Sequence, residues 1–104
     1  MNFDMKAMMK QAQKMQQKMM EAQAELADKT VTATAGGGKV TVVANGAGDV
    51  VSIKIDKAVV DPEDVEFLED LILTAVKKAI EDGKAMQQAE MSKLMPPGIG
   101  GLGF

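Results

Sequence analysis

Residues 30–56 read TVTATAGGGKVTVVANGAGDVVSIKID, and the period of this stretch decides the fold. Val31, Ala33 and Ala35 alternate with Thr32 and Thr34; Val40, Val42 and Ala44 alternate with Thr41 and Val43; Val51, Ile53 and Ile55 alternate with Val50, Ser52 and Lys54. Successive side chains of a strand point to opposite faces, so the pattern predicts three strands, each with one more apolar face. Gly36-Gly37-Gly38 joins the first pair and Asn45-Gly46-Ala47-Gly48 the second, through residues that tolerate positive φ. Connections this short make an antiparallel meander the simplest topology. Its edge sequences carry no proline to discourage pairing, which leaves edge-to-edge dimerisation open.

Upstream of the sheet the period becomes helical. Met5, Met8, Ala12, Met15, Met19, Ala22 and Leu26 follow an alternating three-four spacing, which draws one narrow seam along a helix in the manner of a coiled coil. Gln11, Gln13, Gln16, Gln17 and Gln23 favour helix and occupy its wetter side, while Met9 and Met20 flank the seam. A helix of about 24 residues is roughly 36 Å long, more than the core of so small a domain covers. Part of it is expected to project or to pair, and the seven seam residues are the candidates for self-association.

Downstream, Asp61 is the expected cap of a second helix and Pro62 its first residue, with Glu63, Asp64 and Glu66 near the positive end of the dipole. Val65, Leu68, Ile72, Ala75, Val76, Ala79 and Ile80, with Leu71 beside them, form a wide stripe suited to covering the sheet. Gly83 interrupts this helix, which signals a bend, a close approach or a tolerated exposed position. Ala85, Met86, Ala89 and Met95 continue a weaker stripe to Pro96-Pro97, where the helix should end. The sequence thus predicts an α+β domain of order α-β-β-β-α over residues 1–95. Residues 96–104 read as a flexible Pro/Gly-rich tail carrying Ile99, Leu102 and Phe104.

Composition removes many functions. The 104 residues hold no Cys, His, Tyr, Trp or Arg, which excludes disulfides, imidazole acid-base chemistry, most zinc sites and the usual covalent nucleophiles. Ser52 and Ser92 lack any pattern of a partner base. The acids at Asp61, Glu63, Asp64 and Glu66 coincide with a helix start and lack the spacing of a calcium loop, while Gly36-Gly37-Gly38 lacks the Gly-Lys-Ser/Thr of a phosphate loop. No enzyme, metal or cofactor is expected. Nor is there a run near the roughly 18 apolar residues of a membrane helix, so a cytoplasmic protein without membrane association is the default expectation.

The net charge of −3 is unevenly laid out. Residues 61–104 hold most of the acids, whereas Lys6, Lys10, Lys14 and Lys18 follow one another without an intervening acid. Spaced four apart, each is rotated about 40° from the last, so the four trace a shallow spiral on one side of the helix. Such a row either keeps a methionine-rich helix in water or contacts phosphates, with salt-sensitive affinity and little sequence discrimination. A structural module that holds a protein partner through the first helix or the apolar tail is the competing reading.

Several blocks in order resemble the YbaB/EbfC family of small bacterial nucleoid-associated proteins. They are Met8-Met9-Lys10-Gln11-Ala12-Gln13-Lys14-Met15-Gln16 with Lys18-Met19, then Val40-Thr41-Val42 and Asn45-Gly46 to Val51-Ser52-Ile53-Lys54-Ile55-Asp56. Leu68-Glu69-Asp70-Leu71-Ile72 with Ala75 and Ala79, and Met95-Pro96-Pro97-Gly98, complete the set. The resemblance implies a homodimer in which a central sheet region supports projecting helices like tweezers, a nucleoid location, and binding to double-stranded DNA. It makes Lys6, Lys10, Lys14 and Lys18, with Lys77, Lys78 and Lys84 of the second helix, candidates for contact with the DNA backbone. The family pattern usually includes some arginine; this chain has none.

Overall fold

The computed structural model describes residues 4–94. Five main elements follow in order: α1 (Met5–Asp28), β1 (Thr30–Ala35), β2 (Val40–Asn45), β3 (Val50–Ile55) and α2 (Val65–Ser92), with a 3₁₀ turn at Lys57–Val59 before α2. The strands form one antiparallel sheet in the order β1-β2-β3, which is the expected meander. Its first turn is built by Gly36, Gly37 and Gly38, all at positive φ (64°, 66° and 91°), a backbone that side-chain-bearing residues seldom adopt. The proposed tail residues Ile99, Leu102 and Phe104, and Met95 with Pro96-Pro97, lie outside the described residues.

The core is thin and made of small side chains. Ala33, Ala35, Val40, Val42 and Ala44 from β1 and β2 meet Ala75 and Ala79 of α2, with Leu68, Leu71, Ile72, Val76, Val31 and Val59 packed around them. Ala75, Ala79 and Gly83 recur every fourth residue and are all buried, so α2 presents a shallow groove in which the sheet backbone can lie close. Gly83 marks a close approach: a Cβ built there would stand 2.8 Å from the Asn45 carbonyl oxygen. Among the three roles open to this glycine in sequence, close approach is the one realised.

Two details depart from the expected layout. The cap of α2 is Asp64, whose carboxylate accepts from the Phe67 amide at 3.3 Å, and not Asp61. Asp61 instead accepts from the Glu63 amide at 3.0 Å and closes a turn with its carbonyl to the Asp64 amide. The two aspartates three residues apart are equivalent in type, and the turn between them shifts the helix start to Val65. The second departure is an irregularity in β3 opposite Val43/Ala44: Ser52 pairs with Val43 and Val50 with Ala44, which leaves Val51 as the extra residue. Strict alternation breaks there, and Val50 joins the face of Ile53 and Ile55 in place of Val51.

α2 lies over β1 and β2 and scarcely reaches β3. As a result every residue of β3 is exposed, including those on the helix side of the sheet: Val50 at 39%, Ile53 at 46% and Ile55 at 39%. The opposite face of the sheet is dominated by Thr30, Thr32, Thr34, Thr41, Ser52 and Lys54 and is suited to water.

Candidate nucleic-acid interface

α1 begins at a cap formed by Asp4, whose side chain accepts from the Ala7 amide at 3.2 Å, and ends at Lys29. Residues 4–21 are exposed all round; Ala22 is half-buried and Leu26 is 1% exposed. The expected projection is therefore present, and the seam that looked uniform in sequence divides into two zones. Leu26 and Ala22 anchor the base, while Met5, Met8, Ala12, Met15 and Met19 stand in water, Met5 at 66% and Met8 at 56%. With the arm extended, the molecule measures 76 × 27 × 16 Å.

The base of the arm is held by the second turn of the meander. The Asn45 side-chain amide donates to the Ala27 carbonyl at 3.2 Å, and its Oδ1 accepts from the Ala47 and Asp49 amides at 3.0 Å each. Next to it the Gly46 amide donates to the carbonyls of Leu26 and Lys29 at 2.9 and 3.1 Å. Carbonyls left free at the end of a helix need donors, and one turn supplies them to α1 while satisfying itself. The sequence assigns Asn45-Gly46 to a hairpin; burial of a polar side chain at 7% exposure is the added signal, and it exists only in the folded chain. Asn45→Ala is expected to cost about 1–3 kcal/mol through the groups left unpaired, measured by urea denaturation, with earlier hydrogen exchange at the α1 carboxyl end. An unchanged midpoint would contradict this role.

A second tie crosses from α1 to α2. Lys29 Nζ lies 2.9 Å from Glu90 Oε1, which also receives Lys93 at 3.4 Å. The hydrogen bond from Lys29, with the charges of both lysines, holds the Glu90 carboxyl below the usual carboxylate range. Around this pair Lys18, Glu21, Ala22 and Glu25 of α1 share a depression with Glu90, Lys93 and Leu94.

The seven candidate lysines fall into two groups. Lys6, Lys10, Lys14 and Lys18 are exposed along the projecting arm, and among the described residues none of the four has a carboxylate within ion-pair distance. Counting seven residues to a repeat, Lys6, Lys10 and Lys14 occupy positions away from the methionine seam, so the arm has an apolar side and a basic side. Lys77, Lys78 and Lys84 are exposed on α2, with Lys77 and Lys84 roughly opposite the face that packs on the sheet. Lys78 is partly engaged with Asp82 at 3.6 Å. Among the described residues no group of acids is arranged to hold a metal ion, and no helix is long and apolar enough to cross a membrane.

Comparison with known proteins places this architecture. The model of the YbaB/EbfC DNA-binding family matches residues 1–99. A nucleoid-associated protein of Pelotomaculum thermopropionicum is 52% identical over 94 residues, covering 90% of each chain. One from Acetivibrio thermocellus is 54% identical over 95 residues, covering 91% of this chain and 83% of its own. Among solved structures, the uncharacterized protein HP0035 from Helicobacter pylori superposes with a TM-score of 0.79 over 91% of this chain and 100% of its own, at 20% identity, a likeness of fold. Matched by one family over nearly its whole length and half identical to such relatives, this chain belongs to the YbaB/EbfC DNA-binding family.

Proposed function

We propose that the chain is a homodimeric, non-catalytic nucleoid-associated protein that binds double-stranded DNA in the cytoplasm mainly through backbone phosphates. The observation that carries this reading is the row Lys6, Lys10, Lys14 and Lys18 on a projecting, exposed helix with no acid between them. The row spans about 18 Å of helix, comparable with five base-pair steps, so one arm can follow a stretch of backbone without entering a groove. Lysine ammonium groups act as point charges and impose little geometry, which fits phosphate contact better than base readout. Lys77, Lys78 and Lys84 extend the basic surface onto α2.

β3 supplies the surface for the dimer. Among the described residues, Val50, Ile53 and Ile55 lie on the core side of the sheet yet remain open because α2 stops short of them, and the β3 edge has backbone groups free to pair. A second copy covering β3 completes the sheet region and sets two arms on one rigid body. This arrangement is the tweezer-like assembly implied by the family.

The test is a salt series on several unrelated duplexes with the parent and a Lys6→Gln, Lys10→Gln, Lys14→Gln, Lys18→Gln variant. Affinity of the parent should fall linearly on a log-log plot, and the variant should lose roughly 0.9 of slope for each phosphate contact removed, equally for every duplex. A folded parent that binds no duplex at low salt would overturn the reading.

A further inference from the structure

Among the described residues, nothing covers the outer half of the α1 seam. Met5, Met8, Met9 and Ala12 line a shallow apolar depression near the end of the arm, and Met15 is still 38% exposed. The base of the same seam is already used, with Ala22 beside Leu94 and Leu26 beside Gln87. Among the described residues, the segment from Met5 to about Met19 is therefore the part of the seam open to a visitor, and its pattern restricts the kind. Met5, Ala12, Met19 and Leu26 recur every seven residues, as do Met8, Met15 and Ala22, which is the seam of a helix that pairs with another helix.

We infer that the outer segment of α1 pairs antiparallel with the same segment of a second copy, with Met5 opposite Met15 and Met8 opposite Ala12. In that register the two-fold axis falls at Lys10 on the number line, and each alanine faces a methionine, so the layers fill evenly. A parallel in-register pair would instead stack Ala12 on Ala12 between methionine layers and leave a gap. Charge agrees with the antiparallel choice. Asp4 and Lys18 both sit one residue before a seam position, on the same flank, and antiparallel pairing brings Asp4 of one copy to Lys18 of the other at both ends. Gln11 on that flank meets its own symmetry mate, and Met9 does so on the other. Lys10 faces directly away from the seam and Lys6 and Lys14 lie to either side of it, so pairing leaves the basic side of the arm open.

The contact is small. Four layers on a helix of about a dozen residues cover far less than the roughly 800 Å² per partner of a stable interface. Pairing between arms is thus weak for free molecules and becomes significant where copies are concentrated, through the high effective concentration of neighbouring sites. The inference rests on α1 alone and stands whether or not the sheet forms a dimer or the lysines bind DNA.

Because the chain contains no cysteine, a Gln11→Cys variant of the full chain can carry a single benzophenone label. Illumination of an equal mixture of labelled chain and isotopically heavy unlabelled chain should give light-to-heavy adducts mapping within residues 5–15. A label at Lys10→Cys, on the back of the helix, should give few. Lys18→Asp breaks both Asp4–Lys18 contacts and should reduce the Gln11 adduct roughly tenfold at limiting concentration, and adding Asp4→Lys should restore it. The rescue separates pairing from any loss of helix, since the double variant also lacks the Asp4 cap. Adducts mapping to residues 95–104 of the same chain would overturn the proposal by showing that the tail occupies the seam. Equal labelling from Gln11 and Lys10, or no rescue by the double variant, would overturn it too.

Discussion

An Ile53→Asp chain is expected to sediment as a folded monomer at low micromolar concentration and to bind duplex DNA at least about a hundredfold more weakly than the parent. Ile53 stands opposite Val42, whose side chain is fully buried, yet is itself 46% exposed because α2 ends its coverage at β2. In the isolated chain an aspartate here meets water and costs folding little beyond the lower strand preference of the residue, which is within about 1 kcal/mol. Under a second copy the same carboxylate would be stripped of water, a penalty of several kcal/mol for each copy. The two effects are far apart, so a monomer with an intact circular dichroism spectrum is the expected product. On the proposed dimer, loss of DNA affinity then follows without touching any lysine, because two arms on one body would contribute the second set of contacts at high effective concentration. Undiminished dimerisation of Ile53→Asp would remove β3 from the interface, and a monomer with unchanged affinity would show that a single arm suffices.

Gly83→Val is expected to be severely damaging to stability, with Gly83→Ala milder but still unfavourable by about 1–3 kcal/mol. On helix preference alone alanine should gain about 0.8–1.0 kcal/mol. The structure reverses the sign, because the new Cβ would lie 2.8 Å from the Asn45 carbonyl oxygen, a backbone atom that cannot swing aside as a side chain would. That carbonyl also accepts from the Gly48 amide at 3.2 Å, so moving it disturbs the turn holding α1. The alternative is for α2 to lift, which thins a core made chiefly of alanine and valine, where few contacts are available to spare. Valine adds branches in the same confined space and the stiffness of a β-branched residue in a helix. For a domain of this size, each kcal/mol lowers the melting temperature by about 4–8 °C. Thermal and urea unfolding of the two variants would show it; an alanine variant as stable as the parent would mean that α2 rides farther from β2 than the structure has it.

Much of this architecture was open to reading from residue order because its elements differ in period. Val40, Val42 and Ala44 alternate cleanly and are all buried, and the three-four spacing of α1 marked a face that proved solvent-exposed for most of its length. Where reading failed, two local choices were equal in kind. Asp61 and Asp64 are both good caps, and only the turn between them decides which one starts α2. Val50 and Val51 are the same residue type, so nothing in the order shows which is the extra one in β3. The candidate site divides in the same way. A spacing of four made the lysine row visible, but its presentation depends on where α1 stops being packed. That limit is set by Asn45, Gly46 and Leu26, which meet only in the folded chain.

The attachment of α1 has a further effect that follows from leverage. About 31 Å of helix separates Leu26 from Met5, so a tilt of only 5° at the base carries the outer end through about 3 Å, close to one base-pair step along a duplex. Three carbonyls held by Asn45 and Gly46 therefore act as the fulcrum of a long pointer. Under the proposed phosphate contact, the accuracy with which Lys6 would meet a phosphate is set some 30 Å away, at the turn that holds the base of the arm.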